Sequence, residues 1–196
     1  LMLGTLPVVG DDGSDRVKLA VMQILNEKYG ITERELLNAE LEVVPAGPAR
    51  DVGFDRSMIG AYGHDDRVCA YTSLMAELET KNPAKTSIAV FADKEEIGSM
   101  GNTGMKSEFF EYYIASFINS QTNNYNELML KKCFANSQCL SADVGAAMDP
   151  NFKEVSEPKN ASKISYGVNI CKYTGARGKS GSSDASAEFM GKIRKL

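Results

Sequence analysis

At 196 residues, 43% hydrophobic and 24% charged, the sequence has the composition of a folded globular protein with room for one sizeable domain, or one domain and part of another. A formal net charge of −4 and a pI near 5.2 argue against nucleic acid or an anionic membrane as the main partner. No apolar stretch is long enough to span a bilayer. The opening Leu1-Met2-Leu3-Gly4 lacks the basic flank and cleavage pattern of a secretory signal, and the absence of Met at position 1 suggests an excised piece of a longer protein. Cys69, Cys133, Cys139 and Cys171 form no Cys-x-x-Cys pair, so the expectation is four buried, reduced thiols in a cytoplasmic protein.

In chain order, residues 1–10 are apolar and contain Pro7, an extended or loop segment. Ser14 can cap a helix over 15–29, whose apolar positions make a broad stripe and which Gly30 stops. Thr32 and Glu35 have the spacing of a capping box for a second, short helix. Leu41 to Val44 alternates like a strand and ends at Pro45. A glycine-punctuated stretch from Ala46 to Gly63 follows, with a domain boundary near its start, so that residues 1–48 and 49–196 form separate parts. Met58 to Tyr62 can be a short strand, and 66–79 an amphipathic helix with Val68, Tyr71, Thr72, Met75 and Leu78 inward.

Asn82-Pro83 breaks the chain before Ser87-Ile88-Ala89-Val90-Phe91-Ala92, which reads as a buried strand. It runs straight into Asp93-Lys94-Glu95-Glu96-Ile97-Gly98-Ser99 and a glycine-rich loop. Helices are expected over 106–120, with Phe109, Phe110, Tyr113 and Phe117 as packed core, and over 125–134. Gln138 to Ala142 is a short apolar strand that delivers Asp143, and Ile164 to Ile170 is another strand. After the Gly/Ser/Lys-rich loop 174–183, Asp184 can cap a last helix. Strands alternating with helices mean an α/β protein with a mixed, largely parallel sheet flanked by helices.

Three acidic features share one context. Asp65, Glu95-Glu96 and Asp143 each follow a short strand or precede a helix. Singly, each has a plain explanation. Asp65-Asp66 can be helix N-terminal acids, and the double glutamate a solvated turn. Together they form a carboxylate cluster at one sheet edge, where ligands of open α/β sheets collect. Such a cluster repels itself without a cation, and a carboxylate can bridge a metal pair that activates one water. Adjacent residues of a turning chain point in different directions, so one glutamate can ligate a metal while its neighbour faces the water.

Gly63-His64-Asp65-Asp66-Arg67, Asp93-Lys94-Glu95-Glu96-Ile97-Gly98-Ser99 and Ser141-Ala142-Asp143, in this order, resemble the aspartyl aminopeptidase/aminopeptidase I family of dinuclear zinc metallopeptidases. The likeness covers roughly 41–196, and the resemblance implies a zinc-exopeptidase-like fold. It also implies two zinc ions per site, with cobalt or manganese as substitutes. Asp65 is then the bridging ligand, Glu95 the general base, Glu96 a ligand of one zinc and Asp143 of the other. Residues 1–48 resemble the end of a lid or dimerisation domain inserted before the bridging Asp, and 49–196 part of the catalytic domain. Peptides would be the substrates, and dimers would assemble into a tetrahedral dodecamer. The family uses two histidines, whereas this chain has only His64, which matches neither position.

Two other readings stay open: a catalytically incomplete fragment or assembly module, favoured by the missing histidines, and a magnesium-dependent phosphoryl hydrolase, since oxygen-only clusters suit magnesium. Gly178-Lys179-Ser180 suggests a phosphate loop, but Tyr173 stands where that motif needs glycine. Asn160-Ala161-Ser162 fits a glycosylation sequon by chance composition.

Overall fold

The computed structural model describes residues 2–10, 12–173 and 184–196. The chain divides into two compact units, Leu1–Pro48 and Ala49–Leu196.

The first unit holds α1 (Arg16–Tyr29) and α2 (Glu33–Leu36). Gly30 ends α1 at φ +71°, a left-handed conformation that glycine adopts without a Cβ penalty, and its N–H donates to the Asn26 carbonyl at 2.8 Å. Asp15, not Ser14, is the residue before α1, and it makes no side-chain cap. The capping box of α2 is complete. The Thr32 N–H donates to Glu35 Oε2 at 2.8 Å, and the Glu35 N–H donates to Thr32 Oγ1 at 3.4 Å. The Thr32 N–H, and after it the Thr32 hydroxyl, which also donates to Glu35 Oε2 at 2.8 Å, hold the Glu35 carboxyl below its ordinary range. Lys18 pairs with Glu33 and so ties α1 to α2.

The second unit opens with an antiparallel pair, β1 (Arg50–Val52) and β2 (Met58–Gly60), in register Asp51 with Ile59. The glycine-rich composition had concealed β1. Helix α3 (His64–Glu79) follows, then a 3₁₀ turn at Glu95–Ile97, α4 (Phe109–Gln121), α5 (Glu127–Ala135), a 3₁₀ turn at Lys153–Val155, and α6 (Ala187–Ile193). Asn126 caps α5 by accepting from the Met129 N–H at 3.3 Å. Ser186 caps α6 by accepting from the Phe189 N–H at 3.3 Å. Asp184, expected as that cap, instead takes Lys172 Nζ at 2.7 Å.

The strand expectations need correction. Among the described residues the only ladder is β1–β2, and no parallel sheet forms. Residues 41–44, 86–92, 138–142 and 164–170 are not paired strands. Alternation records which face a segment would bury; a ladder also needs a neighbouring segment in hydrogen-bonding register, and these runs have none among the described residues. Ile88, Val90 and Phe91 accordingly stay exposed.

Burial is thin for the same reason. Among the described residues only Gly104, Ile114 and Leu130 are buried. The latter two sit on α4 and α5, which pack together, with Phe110 stacked on Phe134 at 6.0 Å. The expected aromatic core of α4 is largely uncovered, since Phe109, Tyr113 and Phe117 are exposed. So are Val68, Tyr71 and Leu78 on the expected inner face of α3. The cysteines form no disulfide and are not buried; Cys69 and Cys133 are half-buried, Cys139 and Cys171 exposed. No helix among the described residues is long and apolar enough to cross a membrane. The loop 174–183, with its Gly178-Lys179-Ser180, lies outside the described residues.

Candidate metal centre

The site begins at the N-terminus of α3. Gly63 takes φ +81°, and a Cβ there would lie 2.9 Å from Arg67 Nε. Glycine therefore answers two demands at once, a left-handed backbone and room for the Arg67 side chain. The Arg67 guanidinium covers the Tyr62 ring at 5.6 Å, and the Arg67 N–H donates to the Gly63 carbonyl at 3.1 Å. These contacts pin both ends of the turn that presents His64-Asp65-Asp66. Within it the backbone is not helical: Asp65 has φ −85° and ψ +110°, Asp66 φ −117° and ψ +27°. The peptide bond between the two aspartates is cis.

Asp143 arrives from the run 138–142, extended in sequence character although unpaired. Its Oδ1 accepts the Val144 N–H at 2.7 Å, which orients the carboxylate along its own backbone. Asp65, Asp66 and Asp143 each offer a carboxylate oxygen, and these oxygens lie within 4.8 Å of one another. All three residues are exposed.

Two of the four residues singled out from the sequence, Asp65 and Asp143, are thus brought together. Asp66 joins them, although its sequence position suggests only a helix N-terminal acid. That reading assumed helical geometry, in which successive side chains diverge around the axis. The non-helical pair of dihedrals lets neighbours converge. The departure from the helix falls at the Asp65-Asp66 doublet, which His64 separates from the left-handed Gly63.

Glu95 and Glu96 stand on the 3₁₀ turn Glu95–Ile97, flanked by Lys94 at φ +61° and Gly98 at φ +89°. Three residues per turn send adjacent side chains in different directions. Both glutamates are exposed, and they are not members of the three-aspartate group. His64, the first residue of α3, is exposed and also outside that group.

The donor set suits a divalent cation. Three like charges at this spacing are mutually repulsive, and a cation relieves the repulsion. The set is oxygen only, whereas zinc favours at least some nitrogen or sulfur.

Comparison with known proteins gives the context. The aminopeptidase I zinc metalloprotease family (M18) matches residues 4–196. A relative from Clostridium acetobutylicum, named "Probable M18 family aminopeptidase 1", is 50% identical over 196 residues, which is all of this chain and 42% of the relative. The crystal structure of an M18-family aminopeptidase from Thermotoga maritima superposes with a TM-score of 0.86 at 48% identity, covering 98% of this chain and 42% of that one. That of aminopeptidase I from Clostridium acetobutylicum gives 0.80 at 48% identity, covering 100% and 41%. The chain therefore spans less than half the length of these relatives.

Proposed function

The chain belongs to the aminopeptidase I zinc metalloprotease family (M18), and from that premise we propose that it carries the carboxylate side of a two-zinc aminopeptidase site. The supporting observation is the convergence of Asp65 and Asp143 within 4.8 Å. Asp65 would bridge the two ions, Asp143 would ligate one and Glu96 the other. Zinc held there would polarise the scissile carbonyl and make water acidic enough to be deprotonated near neutral pH. Glu95 would take that proton on a carboxylate oxygen and pass it to the leaving amine nitrogen. Asp66, beside Asp65, adds negative charge to the same group and so strengthens its hold on cations. The substrates on this reading are peptides, cut at the N-terminal bond. Residues 1–48 would be the end of an inserted lid or dimerisation domain, in a homo-oligomer built of dimers.

A specific observation supports the second reading, that these 196 residues alone are catalytically incomplete. The three-aspartate group contains no nitrogen donor, and α3 and α4 expose apolar faces. Family membership gives no support to the magnesium phosphoryl-hydrolase alternative.

The test uses aminoacyl amides and phosphate monoesters, with zinc, cobalt, manganese or magnesium added in turn. The full natural polypeptide that carries these residues should cleave the amides with zinc, cobalt or manganese and leave the esters intact. The isolated 196 residues should cleave neither. Ester hydrolysis with magnesium, or no amide cleavage by the full polypeptide, contradicts the first reading. Amide cleavage by the isolated piece contradicts the second.

A further inference from the structure

The segment from Asp93 to Gly104 is closed on itself at its base. The Asp93 N–H donates to the Thr103 carbonyl at 3.2 Å, and Thr103 Oγ1 donates back to Asp93 Oδ2 at 3.3 Å. Asp93 and Gly104 form an isolated parallel bridge. Between these ends the backbone takes positive φ at Lys94, Gly98, Ser99 and Gly101. Lys94 and Ser99 have side chains, so two of these positions hold a conformation that L-residues rarely adopt. The Ser99 N–H donates to the Lys94 carbonyl at 2.8 Å and the Gly98 N–H to the Glu95 carbonyl at 2.9 Å. The turn carrying Glu95 and Glu96 is therefore wound inside this closed segment.

Gly104 is what lets it close. It is buried, whereas nearly every other described residue is not. A Cβ there would overlap the Ser99 carbonyl oxygen and stand 2.5 Å from the Ser99 carbonyl carbon and 2.6 Å from the Met100 carbonyl oxygen. These are backbone atoms, which cannot rotate out of the way as a side-chain tip can. Any larger residue at 104 must push the 99–100 backbone outward, and that backbone follows the Glu95–Ile97 turn after one residue and holds the Lys94 carbonyl at its start.

We propose that Gly104 and the Asp93–Thr103 latch are positioning residues that hold the Glu95 carboxylate in its proton-transfer position. The proposal rests on the reading of Glu95 as the general base. A base must lie within hydrogen-bond reach of the proton it takes, and a misplacement of about 1 Å can cost on the order of 10²-fold in rate. A loss of position, with the ligands otherwise intact, falls on kcat and not on substrate affinity.

The experiment uses the full natural polypeptide, assayed on an aminoacyl amide with zinc. Thr103→Val keeps the shape and removes the hydroxyl; Thr103→Ser keeps the hydroxyl. Gly104→Ala adds the Cβ. Zinc content and melting temperature are measured on each, with Glu95→Gln in parallel. The expected result for Gly104→Ala is a kcat lower by on the order of 10²-fold. Thr103→Val should lower kcat by about tenfold, as for loss of one net hydrogen bond, and Thr103→Ser should restore it. KM stays near wild type throughout, and each kcat is compared at equal bound zinc, because Glu96 shares the turn with Glu95. If Gly104→Ala does not fold, the Thr103 pair decides alone. With Glu95→Gln inactive, a wild-type kcat for Thr103→Val overturns the latch while the base assignment stands. So does a fall in kcat that Thr103→Ser does not reverse. Full turnover by Glu95→Gln overturns the base assignment, and the latch with it.

Discussion

Asp65 and Asp143 bring carboxylate oxygens within 4.8 Å of each other, although one lies at the N-terminal end of α3 and the other beyond α5. Two acids so far apart in the chain meet only because the fold carries them to one place. If they hold metal together, either one is indispensable. Asp65→Asn and Asp143→Asn should each weaken zinc binding by at least about tenfold, the smaller end of the loss seen even for residues that only support a ligand. Calorimetric titration of metal-free protein reads this directly. Unchanged affinity in either variant removes that residue from the centre.

The small core gives a sharper contrast than a large one would. Leu130 on α5 is 3% exposed, and Leu128, on the same helix, is 60% exposed. Leu130→Ala should destabilise the second unit by about 2–3 kcal/mol, from lost transfer energy and an unfilled cavity. Leu128→Ala should stay within about 0.5 kcal/mol. Urea unfolding followed by circular dichroism compares them. Equal shifts would mean that α4 and α5 do not pack as described.

In the first unit, Glu35 is held below its ordinary carboxyl range first by the Thr32 backbone N–H and then by the Thr32 hydroxyl. A carboxyl with a depressed folded pKa contributes stability above its unfolded pKa, and that contribution fades as pH falls through the folded value. The capping box should therefore hold α2 at neutral pH and loosen on acidification below the usual glutamate range. Thr32→Ala removes the hydroxyl and should move the Glu35 titration upward, towards the ordinary value, in carboxyl NMR. An unmoved titration would show that the hydroxyl plays no part.

What could be read in advance follows the range of the forces involved. The Gly30 stop of α1 and the Thr32–Glu35 box of α2 are signals within one or two turns, and both stand in the structure. Helices α3, α4 and α5 follow from periodicity over similar distances. The run at 86–92 shows the limit of such signals. Its composition is that of a strand, but a strand exists only with a partner, and the described residues provide none. The expected burial of Phe109 and Phe117 failed in the same way, because a stripe identifies a face without supplying what covers it. At the site, Asp65 and Asp143 were identifiable from their motifs. Asp66 was not, because its convergence depends on two non-helical dihedrals that composition does not encode.

The double glutamate carries the central proposal: Glu95 would move a proton, and the aspartates and Glu96 would hold metal. One measurement separates these roles. Glu95→Gln in the full natural polypeptide keeps the side chain's size and removes its basicity. Turnover of an aminoacyl amide and bound zinc are read on the same sample. The account predicts a loss of turnover of about 10²–10⁴-fold, the range for removal of a general base, with zinc content nearly unchanged. Retained activity, or zinc lost together with activity, would contradict it.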